Sequence, residues 1–192
     1  MMRRTFARIL NLLFYPAKEW KRIAEENNSR KTVYTQFVAP LLCLMAVATI
    51  VGTWFNASRE IYSAGYVICR IAFLLSSLSA SLYFSSFVLT EILAPQMESR
   101  EHNRDFALMA YSSGAAYLVI IIVELFSFLS ELYVLAFYSC YQYWMGIQYF
   151  IRAEGQKRMI YGVLAFIIVT FTYLLIFFFF SKIFESILTI NH

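Results

Sequence analysis

The chain has 192 residues, of which 60% are hydrophobic and only 15% charged, with a formal net charge of +4. Soluble domains are nearer half apolar and a quarter charged, and the apolar residues here gather in blocks of about 20 rather than in short amphipathic stripes. The basic residues are dispersed among the polar gaps between those blocks, a pattern that excludes a nucleic-acid-binding surface and points to membrane topology.

Residues 1–31 read as an amphipathic, basic cytoplasmic segment. Phe6, Ile9, Leu10, Leu13 and Phe14 fall on one helical face, while Arg4, Arg8, Asn11 and Tyr15 fall on another. Such a helix is predicted to lie flat at headgroup level. Arg8 and Asn11 interrupt its apolar stretch and Ala17 leads straight into Lys18 and Glu19, so no cleavable leader is expected. Pro16 breaks this helix and can open the next, because a first-turn residue has no use for an amide hydrogen. In the second helix Trp20, Ile23 and Ala24 share a face. Trp20, Ile23, Arg4 and Arg8 are the candidates for a partner-docking or membrane-surface face, with anionic lipid headgroups as the expected ligand of the basic residues.

A hydrocarbon core about 30 Å thick requires about 20 helical residues at about 1.5 Å each. Five stretches of residues 32–192 meet that length: 32–55, 65–93, 106–129, 132–151 and 159–181. The predicted fold is therefore an all-α, polytopic transmembrane helical bundle of five spans, preceded by the amphipathic helices. The break between the third and fourth spans is the least marked. A single helix from Phe106 to Ile151 would be about 69 Å long, over twice the core, and the turn is placed at Ser130 and Glu131.

Lysine and arginine set the orientation. Eight lie in residues 1–31, two in the second-to-third loop (Arg100, Arg104) and three in the fourth-to-fifth loop (Arg152, Lys157, Arg158). The other side has Arg59 and Lys182. The N-terminus is expected in the cytoplasm and the C-terminus outside.

Three charges fall inside spans, where insertion scales assign each roughly 2.5 to 3.5 kcal/mol. Arg70 and Glu124 each lie about five residues from the outer ends of antiparallel spans, so they are predicted to pair near the outer leaflet; the alternative is an Arg70 that snorkels alone. Glu91 lies near the inner end of the second span. Ser77, Ser81 and Ser85 recur every four residues, a small-residue spacing that lets helices approach closely; with Glu91 they alternatively outline a polar groove. The fourth span carries Tyr133, Tyr138, Tyr141, Tyr143, Trp144 and Tyr149, which suit an interfacial belt and packing, or else line a lipid or isoprenoid groove. His102 stands alone in a mixed-charge loop, Cys43, Cys69 and Cys140 lack metal-type spacing, and no nucleophile elbow or phosphate loop occurs. No catalytic, metal or cofactor site is expected.

Several of these segments resemble the Yip family of five-span membrane proteins, whose eukaryotic members interact with Ypt and Rab GTPases. Pro16, Trp20, Ile23 and Glu26 match a P-x-x-x-W-x-x-I-x-x-E pattern of bacterial members, and Phe106 to Ser112 resembles the third-span entry with its A-Y-S core. Tyr133, Tyr138, Tyr141 and Gly146, then Glu154 to Arg158 and Tyr161 with Gly162, are similar to the fourth span, turn and fifth span. Ser113, Gly114 and Ala115 stand where members often carry a proline, implying a less kinked third helix. The long acidic and aromatic cytosolic region of eukaryotic members has no counterpart in these residues. The resemblance thus implies a compact protein of a bacterial cytoplasmic membrane, and the Rab-binding role of eukaryotic members is not carried over with it. The expected function is a non-enzymatic scaffold that organises membrane or recruits a protein partner on the cytoplasmic face. The alternative is a small transporter, channel or lipid-moving protein built around the polar groove.

Overall fold

The computed structural model describes residues 2–26, 28–56, 64–93, 102–150 and 155–190, all but a few of them helical. The connections around Asn56 to Tyr62, Ala94 to Asp105 and Arg152 to Arg158 fall largely outside these residues, as do the side chains of Arg4 and His102.

Helix α1 (Met2–Phe14) ends at Pro16, which opens α2 (Pro16–Glu25) at its first turn. The two form a hairpin. Ser29 caps α3 (Arg30–Val33) by accepting a bond from the Thr32 amide, and α3 continues through a wide π-type turn at Tyr34–Val38 into α4 (Ala39–Asn56). Pro40 lies just past that turn. It has no amide hydrogen to give the carbonyl four residues back, which is why the helix loosens there.

Helix α5 (Ala64–Leu93) packs mainly against α9 (Gly155–Ile190) and also against α6 (His102–Ser112). A one-residue interruption at Ser113 separates α6 from α7 (Gly114–Leu125), and the hydroxyls of Ser112 and Ser113 both bond to the Met109 carbonyl there. The α6–α7 path is the core of the bundle. Phe106, Leu108, Ala110 and Tyr117 in it are fully buried.

The expected fourth span has a different backbone. The chain breaks at Phe126 (φ −128°, ψ 85°), runs as a 3₁₀ helix from Ser127 to Phe137 with a non-helical Leu129, and becomes α8 (Tyr138–Ile147). The turn therefore comes at Phe126 to Leu129 rather than at Ser130 and Glu131, and α7 stops at Leu125 rather than 129. At about 2.0 Å per 3₁₀ residue and 1.5 Å per α residue the segment from Ser127 to Ile147 covers about 37 Å, enough for the core. From Ser139 onward it runs antiparallel to α6–α7: Ser139 accepts from the Ala116 amide, Gly146 abuts Leu108, and Arg104 lies over the Phe150 ring.

Among the described residues, four helices are long and apolar enough to cross a membrane: Arg30–Phe55, Ala64–Glu91, Asn103–Leu125 and Gly162–Phe184. The 3₁₀–α8 path is the fifth stretch, and no residue of its 3₁₀ part is buried.

Helices α4 and α7 meet at Gly52. A Cβ placed there would come within 1.9 Å of the Glu124 carbonyl oxygen, a contact with backbone that no rotamer can relieve. Gly52→Ala is expected to push the two helices apart and lower stability by roughly 1 to 3 kcal/mol, measured by denaturant unfolding in detergent micelles.

Candidate functional site

The hairpin does not lie apart from the bundle. The side chains of α1 fall in three sectors: Thr5, Ile9 and Leu12 are buried against the spans, Phe6, Leu10 and Phe14 are exposed, and Arg8 turns toward α2. Ile9 and Phe37 both stand against Gly114, halfway along the α6–α7 path. The predicted single apolar face is thus divided, one edge covered by protein and the other left outward.

Two proline-derived vacancies explain where the hairpin docks. Pro16 leaves the Leu12 carbonyl without its usual helical donor, and the Gln142 side-chain amide fills that place at 2.7 Å. Pro40 does the same to the Gln36 carbonyl, which the Thr5 hydroxyl reaches at 2.8 Å. Tyr138 adds a bond from its hydroxyl to the Leu13 carbonyl. Gln142 also accepts from the Trp20 indole N–H at 3.0 Å. Trp20 is fully buried against Leu108 and Gly146, with Phe150 edge-on, and Ile23 is buried as well. The face of Trp20 and Ile23 therefore cannot be a partner-docking surface, because α6 and α8 already occupy it.

Arg8 corrects a second expectation. Instead of reaching headgroups, its guanidinium points into a polar cleft of about 490 Å³ between α1, α2 and α3. It holds Glu26 through both terminal nitrogens (2.8 and 2.6 Å), Glu19 through Nε (3.2 Å) and the Tyr111 hydroxyl (2.9 Å). Asn28 and Arg22 add further bonds to Glu26. The Arg8 hydrogen bond holds the Glu26 carboxyl below its ordinary value of 4.5, against the smaller opposing effect of burial.

On the opposite end of the bundle, Arg70 Nη2 lies 2.6 Å from Glu124 Oε1, and the Thr49 hydroxyl bonds to the other carboxylate oxygen at 3.2 Å. This pair borders a polar cavity of about 250 Å³ with Thr53, Ser127, Ser130 and Tyr133. Ser77, Ser81 and Ser85 are fully buried along α5. Ser77 bonds back to the Leu74 carbonyl, while Ser81 and Ser85 have no hydrogen-bond partner and Glu91 is exposed at the inner end. None of these serines lines either cavity. Neither spacing nor charge singles out Gln142 in the sequence, although an amide in an apolar run needs a partner there.

A family model described as the Yip1 domain matches residues 10–178. No curated protein and no solved structure matches the chain.

Two outcomes follow from the ion pairs. Glu26 has a lowered pKa in the folded state, so its contribution is present above the unfolded value and lost as pH falls through the folded one. Hydrogen-exchange protection in α1, taken relative to the intrinsic rate at each pH, is expected to be constant from neutral pH to about 4.5 and to fall below it, and Glu26→Gln should abolish that dependence. At the other end, Glu124→Leu strands Arg70 and is expected to cost roughly 3 kcal/mol, whereas adding Arg70→Met should restore most of it; a double-mutant cycle in micelles reads the coupling.

Proposed function

The chain belongs to the Yip1 domain family, and from that membership we propose that it is a non-enzymatic membrane-organising scaffold whose N-terminal hairpin widens one leaflet of the bilayer. The family and the apolar helices make it a multi-pass membrane protein. The observation that carries the finer reading is the placement of α1. It is fastened to the bundle at the level of Gln36, Gly114 and Leu12–Gln142, and it turns Phe6, Leu10 and Phe14 outward.

An amphipathic helix held by its own protein at that depth adds cross-section to a single leaflet, where its apolar side chains displace lipid tails. Arg3, Lys18, Lys21, Arg22 and Lys31 are exposed around the hairpin, in position to attract anionic headgroups. With the basic residues facing the cytoplasm, the widened leaflet is the inner one. The transporter alternative needs Ser77, Ser81 and Ser85 on a hydrated wall. Their burial between packed helices favours the scaffold, with the serine stripe serving close helix approach.

Reconstitution into vesicles containing anionic phospholipid tests the reading. The protein is expected to narrow the vesicles seen by electron microscopy, and a Phe6→Ser, Leu10→Ser, Phe14→Ser variant should leave them as broad as protein-free controls. A wild-type protein without effect on vesicle size would end the proposal. A reporter that works only in the cytoplasm, fused after His192, should stay silent; activity would reverse the assigned leaflet.

A further inference from the structure

The protein does not fill the space beside the Arg8 ion pairs. The cleft there encloses about 490 Å³ and opens outward past Ala7, Asn11 and Gln36, all of them exposed. A cavity of about 150 Å³ accepts a benzene ring, so this one has room for a polar group of about eight heavy atoms. Asn28, Thr32, Val33 and Gln36 line one wall, and the first membrane-crossing helix begins at Arg30. The cleft therefore straddles the start of that span, at the level of the lipid headgroups, a layer about 5 to 7 Å thick on each side of the hydrocarbon. On α1 its residues Ala7 and Asn11 adjoin the outward sector of Phe6, Leu10 and Phe14, because successive helical residues turn by about 100°. A molecule with its polar end in the cleft has that apolar sector beside it for its other end.

The lining carries two guanidiniums, Arg8 and Arg22, and two carboxylates, Glu19 and Glu26, so its formal charge is zero. An anion brought there meets both carboxylates, and a cation meets both guanidiniums. A group with one charge of each sign avoids both penalties. The bonds already made show where each charge would go. Glu26 accepts from both terminal nitrogens of Arg8 and from Asn28 and pairs with Arg22 Nε, which uses its lone pairs. Arg22 gives only Nε, and its two terminal nitrogens have no partner among the described residues, which suits a phosphate. Asn11 and Asn28 turn their amide hydrogens to Glu19 and Glu26. Neither of their side-chain carbonyl oxygens accepts a bond among the described residues, which suits an ammonium with hydrogens to donate.

We propose that the cleft holds the headgroup of one phosphatidylethanolamine molecule of the inner leaflet. Its phosphate lies on Arg22, its primary ammonium on the carbonyl oxygens of Asn11 and Asn28, and its chains beside Phe6, Leu10 and Phe14. This assignment rests on the scaffold reading for the leaflet in which the hairpin sits, and it names the lipid held there.

The test is native mass spectrometry of the whole, delipidated protein in detergent, at about 0.15 M ammonium acetate, where exposed lysines and arginines are largely screened. Phosphatidylethanolamine, phosphatidylcholine and phosphatidylglycerol with identical chains are titrated in turn. One phosphatidylethanolamine is expected to bind about tenfold tighter than either of the others. The trimethylated ammonium has no hydrogen to donate, and the glycerol headgroup leaves a net negative charge beside the two carboxylates. Asn11→Ala should narrow the preference over phosphatidylcholine about fivefold, the worth of one net hydrogen bond. Arg22→Gln should weaken phosphatidylethanolamine and phosphatidylcholine alike, about tenfold, because both carry the phosphate. Ala7→Trp, at an exposed position, should block the cleft without disturbing the fold. Equal binding of phosphatidylethanolamine and phosphatidylcholine, tighter binding of phosphatidylglycerol, or an Ala7→Trp variant that keeps the preference would overturn the proposal. So would glycerophosphoethanolamine, which has the headgroup without the chains, competing as well as the lipid. Vesicle width, on which the scaffold reading stands or falls, plays no part in this readout, so the two can fail separately.

Discussion

Hydrocarbon gives no hydrogen bonds, and the architecture depends on how this chain answers backbone groups that its own helices fail to satisfy. Two prolines create the critical cases. Pro16 strands the Leu12 carbonyl and Pro40 strands the Gln36 carbonyl, and each is met by a side chain from another part of the protein, Gln142 in one case and Thr5 in the other. The first bond ties the hairpin to α8 and the second ties α1 to the turn that begins α4. What looks in sequence like a pair of helix breakers thus acts as a pair of fasteners. Trp20 strengthens the arrangement because its indole N–H uses the remaining end of the Gln142 amide, so a single buried side chain holds both helices of the hairpin.

That dependence explains which parts of the structure could be read from the residues alone. The long apolar blocks announced membrane helices because length and hydropathy are local properties, and α4, α5, α6–α7 and α9 lie where those blocks lie. The depths of Arg70 and Glu124 were equally countable, since residues at one depth on adjoining antiparallel helices are within reach, and here they lie 2.6 Å apart. The destination of the hairpin was not countable. An apolar stripe such as Phe6, Ile9, Leu10, Leu13 and Phe14 shows only that something apolar covers it, and in a membrane protein both lipid and protein qualify. The structure uses both, and the dividing line through that stripe was invisible. Arg8 shows the same ambiguity for charge, because its acidic partner Glu26 is distant in sequence and only the hairpin turn at Pro16 brings them together.

The 3₁₀–α8 segment marks another limit. Its composition announced an apolar segment, and length arithmetic required a turn before it, but neither quantity distinguishes an α-helix from a 3₁₀ helix. The difference depends on support from neighbours. A 3₁₀ run of 11 residues is long for a geometry whose hydrogen bonds are poorer, and it stands where no residue of the segment is buried, with Phe128 and Phe137 facing outward. Once the chain comes against α2 and α6, at Gln142, Tyr143, Gly146 and Ile147, the buried contacts resume and so does the α-helix. Backbone form here tracks burial.

The resulting distribution of packing bears on what the protein can do. The half of the bundle around α6 and the hairpin is dense and cross-linked by side-chain hydrogen bonds, whereas α9 leaves most of its surface outward and rests mainly on α5 through Phe73, Phe177 and Phe184. A rigid half fixes the position of α1 against the spans. A loosely joined half leaves a half-open apolar crevice between α8 and α9. Both features come from one allocation: the polar side chains able to bridge helices are concentrated on the hairpin side, and the α9 side is left to aromatic contacts.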